Sequence, residues 1–184
     1  MIRMGERYVG DDGTLTRQGY AAFAPLEKSR VQVQTAVASA AQTAIDFLDI
    51  PAWANRITVT LAGFSTSGTN AYLLQIGSGS FPASGYTGAR STIVGAAVTT
   101  GNPTTSVAIG NAPVATSVYR GLWTVQRHSG NTWIISGAGS FSDTATTHLA
   151  TAETTLSGAL DRVRVTTTGS TDTIDAGSVN ISWE

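Results

Sequence analysis

The chain is predicted to be all-β: an antiparallel jelly-roll-like β-sandwich preceded by a short N-terminal segment of mixed or helical character. Three observations predict it. From Thr43 onward, apolar side chains recur at every second residue, the period of a strand with one buried face. Turn residues interrupt this pattern at intervals of ~8–12 residues, as in sandwiches and barrels. Helical spacing never lasts long enough after Thr43 to build the crossovers of a parallel sheet. The division places the N-terminal segment at residues 1–42 and the sandwich at residues 43–184.

In chain order, Asp11-Asp12-Gly13 reads as a tight turn. Thr14 to Phe23 reads as a short helix with Thr14 as N-cap, ended by Ala24-Pro25 because the residue before proline leaves the helical region. Val31, Val33, Thr35 and Val37 alternate with Gln32, Gln34 and Ala36, which favours a strand, with a single helix over Leu26–Ala41 as the alternative. Ile45 and Phe47 flank Asp46. Ile57, Val59 and Leu61 form the next apolar face, then Tyr72, Leu74 and Ile76. Thr92–Val98 and Ser106–Ile109 are weaker strand candidates. Tyr119, Trp123 and Val125 follow, then Trp133 and Ile135, Ala145–Leu149, Val163 and Val165, and finally Val179, Ile181 and Trp183. Ser67-Gly68, Gly77-Ser78-Gly79, Gly101-Asn102-Pro103, Ser129-Gly130-Asn131, Gly158 and Gly169 punctuate these runs. Arg56, Arg120, Arg162 and Arg164 fall on the faces opposite the branched apolar residues. They read as a solvated outer face, or more sharply as a subunit interface or ligand-binding face.

Composition removes several function classes. The 184 residues suffice for a core without staples, and the absence of cysteine excludes thiolate chemistry, disulfides and iron–sulfur clusters. Net charge is -1, Lys28 is the only lysine and the arginines are scattered, so no nucleic acid is expected as a partner. Charged residues are 12% of the chain. Ser and Thr fill roughly a quarter of it, far above average usage. Met1–Tyr20 lacks the apolar core of a secretory signal, and no run approaches ~18 apolar residues, so neither export by that route nor membrane insertion is expected.

The chemistry-bearing residues are sparse. His128 sits beside the Ser129-Gly130 turn and His148 in a Thr-rich candidate strand, with no G-x-S-x-G elbow in the chain. Glycan hydrolysis would need two carboxylates across a sugar, and Asp46, Asp49, Asp143, Glu153, Asp161, Asp172 and Asp175 are available. Turn capping is the plainer role for them in this Ser, Thr and Gly context. No catalytic residue, metal motif or cofactor fingerprint is present, so the expectation is a non-enzyme without cofactor. Trp123, Trp133 and Trp183 alternate with polar neighbours and read as core. Trp53, after Pro51 in a loop, and Tyr86, in the Gly-rich loop Phe81–Arg90, are the candidate ligand-binding residues, as aromatics able to stack on a sugar or fill a partner's pocket.

A resemblance adds to this reading. Ala44-Ile45-Asp46-Phe47, Ile50-Pro51-Ala52-Trp53-Ala54, Arg56-Ile57-Thr58-Val59, Gly63-Phe64-Ser65-Thr66-Ser67-Gly68-Thr69 and Leu74-Gln75-Ile76-Gly77 stand in order. Asn131-Thr132-Trp133, the stretch Leu156–Arg164 and the ending Thr171–Ile181 continue the series. From Thr43 to the C-terminus the sequence thereby resembles a β-sandwich module of tail-fibre-type virion proteins of bacteriophages and prophages. Gly13–Tyr20 looks like the short segments that precede such modules. The resemblance implies a structural virion protein, a fibre or spike component of a tailed phage that takes part in host-surface attachment. It implies a homotrimer bound to other virion proteins through the N-terminal segment, made in the bacterial cytoplasm, with a host glycan or protein as outer partner. It carries over no site residue. The rival readings are a carbohydrate-binding, lectin-like module and a head decoration protein without an adhesive role.

Overall fold

A computed structural model describes residues 14, 32–34, 37–38 and 42–184. The helix expected over Thr14–Phe23 lies outside the described residues apart from Thr14, and so does most of the anchor segment expected at 1–42. Among the described residues of 26–41 are two strand pieces, β1 (Gln32–Val33) and β2 (Val37–Ala38), with Gln34 in neither, which fits the alternation and not a single helix.

Eleven further strands follow: β3 (Ala44–Phe47), β4 (Arg56–Thr66), β5 (Ala71–Gly77), β6 (Thr87–Val94), β7 (Ala97–Gly101), β8 (Val107–Asn111), β9 (Tyr119–Ser129), β10 (Thr132–Phe141), β11 (Thr146–Thr155), β12 (Arg162–Thr167) and β13 (Ile174–Trp183). They build two antiparallel sheets. The larger runs β1-β13-β4-β9-β10-β11-β6-β7, with β2 also on β13; the smaller runs β3-β12-β5-β8. The all-β sandwich expected from period-two patterning is the fold. Among the described residues no helix is long and apolar enough to cross a membrane.

The core lies between the sheets and is made of the alternating side chains. Ile57, Val59 and Leu61 of β4, Trp123 and Val125 of β9, Trp133 and Ile135 of β10 and Val179 and Ile181 of β13 come from the large sheet. Ile45, Phe47, Leu74, Ile76, Val163 and Val165 come from the small one. All are buried, and each neighbour of opposite parity faces outward, so a one-residue slip of any of these strands would turn its apolar set to solvent. At one end an aromatic series links the sheets: Phe64, Tyr72, Tyr119, Phe141 and His148 meet ring to ring, with centroid separations from 5.0 to 5.7 Å in edge or tilted contact. Such pairs contribute about 0.5–1.5 kcal/mol each beyond the area they bury.

Two strands differ from expectation. Thr92–Val98 is not one strand. The chain reverses at Gly95, whose φ of 56 suits glycine, and splits the segment into the β6–β7 hairpin. The strand expected to end at Leu149 runs on to Thr155, carried by the small buried residues Ala150 and Ala152.

Candidate functional site

Tyr86 corrects the sequence reading. It is 3% exposed, not presented to solvent. The loop after β5 folds back so that the phenol accepts from the backbone N–H of Ile76 at 3.0 Å and donates to its carbonyl at 3.2 Å. The cause is the sheet edge. Pairing between β5 and β8 ends at Leu74↔Val107, which leaves the outward backbone groups of Ile76 without a strand partner, and the phenol supplies one. Burial raises its pKa to about 12. Tyr86→Phe is expected to cost about 1–3 kcal/mol, the penalty for leaving buried backbone groups unpaired. A thermal denaturation midpoint unchanged from wild type would contradict that role.

Trp53 is half-buried and packs against the core cluster. Its loop is fastened at two points. Ala54 N–H donates to Pro51 O at 2.9 Å, and Arg127 donates to Ala52 O at 2.9 Å while lying 4.8 Å from the centre of the Trp133 ring. Trp53 thus lies at the rim of the core with part of its ring outside. Trp123 and Trp133 are core residues, as expected, and Trp183 packs partly buried against the same cluster.

The densest grouping of polar chemistry is elsewhere, on the outer face of the four-stranded sheet. Register places Arg164 of β12 opposite Asp46 of β3 and Gln75 of β5. Arg164 donates from Nε and Nη2 to the two oxygens of Asp46, both at 2.7 Å, in a fork-to-fork pair. Its guanidinium carbon also stands 4.2 Å from the centre of the Phe81 ring. Arg162, one step along the same face, forks onto Asp161 at 2.7 and 3.2 Å. Asp161 also accepts from Gly79 N–H, so the loop carrying Phe81 is clipped to the start of β12. The Arg162 hydrogen bond holds the Asp161 carboxyl below the usual carboxylate range, and the Asp46 bond holds the Arg164 guanidinium high. The alternation exposed Arg162 and Arg164 in the sequence, but not Phe81. The Phe81-Pro82 step after Gly79-Ser80 was the one available cue.

This face can bind in a particular way. Each guanidinium is already matched by a carboxylate, so the group is close to neutral and lacks the excess positive charge a phosphate would require. It offers planar donors and acceptors beside an aromatic ring, a surface suited to hydroxyl-bearing or peptide partners.

The remaining titratable groups do not converge. His128 is exposed at the β9–β10 turn, and His148 is buried in β11. Asp172 accepts from the backbone and side-chain N–H groups of Asn70, Asp175 accepts from Ser65, and Asp143 accepts from Ser117 at 2.8 Å. These carboxylates tie loops together, as turn capping predicts. Among the described residues no three His, Asp or Glu side chains gather as a metal site. Comparison with protein-family models, curated proteins and solved structures yields no match.

Proposed function

We propose that this chain is a non-enzymatic structural virion protein of a tailed phage, a fibre or spike component that self-associates as a homotrimer. In this reading the segment 1–42 joins it to other virion proteins, and the sandwich, jelly-roll-like in kind, meets a glycan or protein on the host surface. The observation that carries the reading is the near-neutral Arg164–Asp46–Phe81 face with Arg162 and Asp161 beside it, a shallow surface built for polar contact. Weak contact at one copy becomes firm attachment when several copies engage at once.

The test has two arms. Mass spectrometry of purified particles is expected to find the chain, and its absence from them would end the reading. Purified wild-type protein is expected to block particle adsorption to host cells, with Arg164→Ala weaker by at least about tenfold, since a charge-assisted hydrogen bond contributes about 1.5–3 kcal/mol. The same face favours one second reading, a lectin-like module outside any virus. That reading predicts specific glycan binding by a protein that purified particles lack.

A further inference from the structure

The two outer faces of the sandwich are unlike. The four-stranded sheet carries Asp46, Arg162 and Arg164 outward. The larger sheet does the reverse. Of the large hydrophobic side chains exposed among the described residues, four share its outer face: Val33 at 63%, Leu122 at 56%, Leu149 at 43% and Val98 at 61%. Their common face follows from register. Leu122 lies opposite Ala138 and Thr60, Ala138 opposite Leu149, Val98 opposite Ile93, and Val33 opposite Ser182, which itself faces Thr58. The rows between them are mostly Thr, Ser and Ala, with Asn180 and Ile93. Arg120 is the one charged side chain in these central rows among the described residues; in the row at the far end of the strands Glu153 stands in line with Ile134, Gln126 and Arg56, and Arg56 is paired to Glu184.

We infer that this face is the contact between copies of this chain. Three points support a second copy as the occupant. The adjacent strands β13, β4, β9, β10, β11 and β6 are each at least 8 residues long, and at about 4.8 Å between strands and about 3.4 Å per residue they make a face of roughly 800 Å² in plan, near the ~800 Å² each partner contributes to a standard interface. Arg120 and Glu153 have no ion-pair partner among the described residues, so the face carries a charge of each sign, and Arg120 of one copy can meet Glu153 of the next around a closed ring. Finally, β7 is an edge strand without charge, proline or bulge, the devices that keep a free edge from pairing, and it borders this face. The inference rests on the self-association in the function proposed above and assigns it to one surface.

Light scattering on the full chain and on Leu122→Asp/Leu149→Asp tests it, with circular dichroism as the check on folding. The expected result is an oligomeric wild type and a folded variant of monomer mass. A monomeric wild type would remove both this inference and the homotrimer. An oligomer that survives the double substitution would remove the inference alone. Should the variant fail to fold, the cysteine-free background offers a second measurement. Leu122→Cys is expected to react with a maleimide at least about tenfold more slowly than Leu48→Cys, a site exposed elsewhere on the fold, and to lose that protection on dilution. Equal rates at every concentration would overturn the assignment.

Discussion

Gly139→Ala is expected to lower the thermal midpoint by roughly 2–12 °C, because overpacking a filled core costs about 1–3 kcal/mol and each kcal/mol moves a chain of this size by about 2–4 °C. Gly139 of β10 lies opposite Gly121 of β9 and His148 of β11, and the ring of Tyr119 passes over it. A Cβ at this position would fall on the Tyr119 hydroxyl and its ring carbon, closer than real carbon contacts come. The ring cannot yield. Its hydroxyl donates to Ile109 O and accepts from Trp123 Nε1 at 3.2 Å, and its faces are set against Tyr72 and Phe141 at 5.6 and 5.1 Å. Gly95→Ala is the control. With nothing within 4 Å of its Cβ, it bears only the left-handed backbone cost of about 1–2 kcal/mol. Tyr119→Phe in the Gly139→Ala background should not restore stability, since the ring itself is in the way. A Gly139→Ala midpoint within about 1 °C of wild type would mean that the ring has room to move.

How much of this was legible in the sequence depends on the range of the interactions involved. Strands whose own side chains alternate strongly were legible: Ile57-Val59-Leu61, Trp133-Ile135 and Val163-Val165 are buried as the period requires. The β6–β7 hairpin was not, because Ile93, Val94, Ala96, Ala97 and Val98 are apolar on both faces and carry no period; both faces are largely exposed there. Ala150 and Ala152 extended β11 past the expected end because alanine is a weak strand signal that packing overrides. The glycines around Tyr119 have no local signature, since what crowds them belongs to neighbouring strands. Tyr86 shows the same limit for a candidate site. Loops have no period, and whether a loop aromatic is inside or outside depends on the unpaired groups of a strand it returns to. Arg162 and Arg164 were legible as outward residues, while their assembly with Asp46, Asp161 and Phe81 exists only once β3, β5 and β12 are aligned.

Acidification is expected to destabilise the fold between about pH 6.5 and 4 through one residue, His148. Its surroundings favour the neutral ring. Nε2 accepts from Asn111 N–H at 3.3 Å, which leaves the proton on Nδ1 to be donated to Thr92 Oγ1 at 3.1 Å. A second proton on Nε2 would face a donor instead of an acceptor. Burial, with the charge of Arg90 adding to it, lowers the pKa from 6.5 to about 4. The unfolded chain therefore takes up this proton at about pH 6.5 and the folded chain only near pH 4. Between those values the unfolded state binds more protons, so the contribution is complete above pH 6.5 and is lost as pH falls toward 4. The gap corresponds to about 3 kcal/mol at most, or a midpoint lower by roughly 6–12 °C. Asp161, held low by Arg162, adds its own loss only below the ordinary carboxylate range, outside this window. Midpoints measured from pH 7 to 4 should fall steeply for wild type and for His128→Gln, whose side chain is exposed. They should fall much less for His148→Gln, whatever that variant loses at pH 7 by giving up its contact with the Phe141 ring. Equal slopes for wild type and His148→Gln would show that the acid sensitivity resides in other groups.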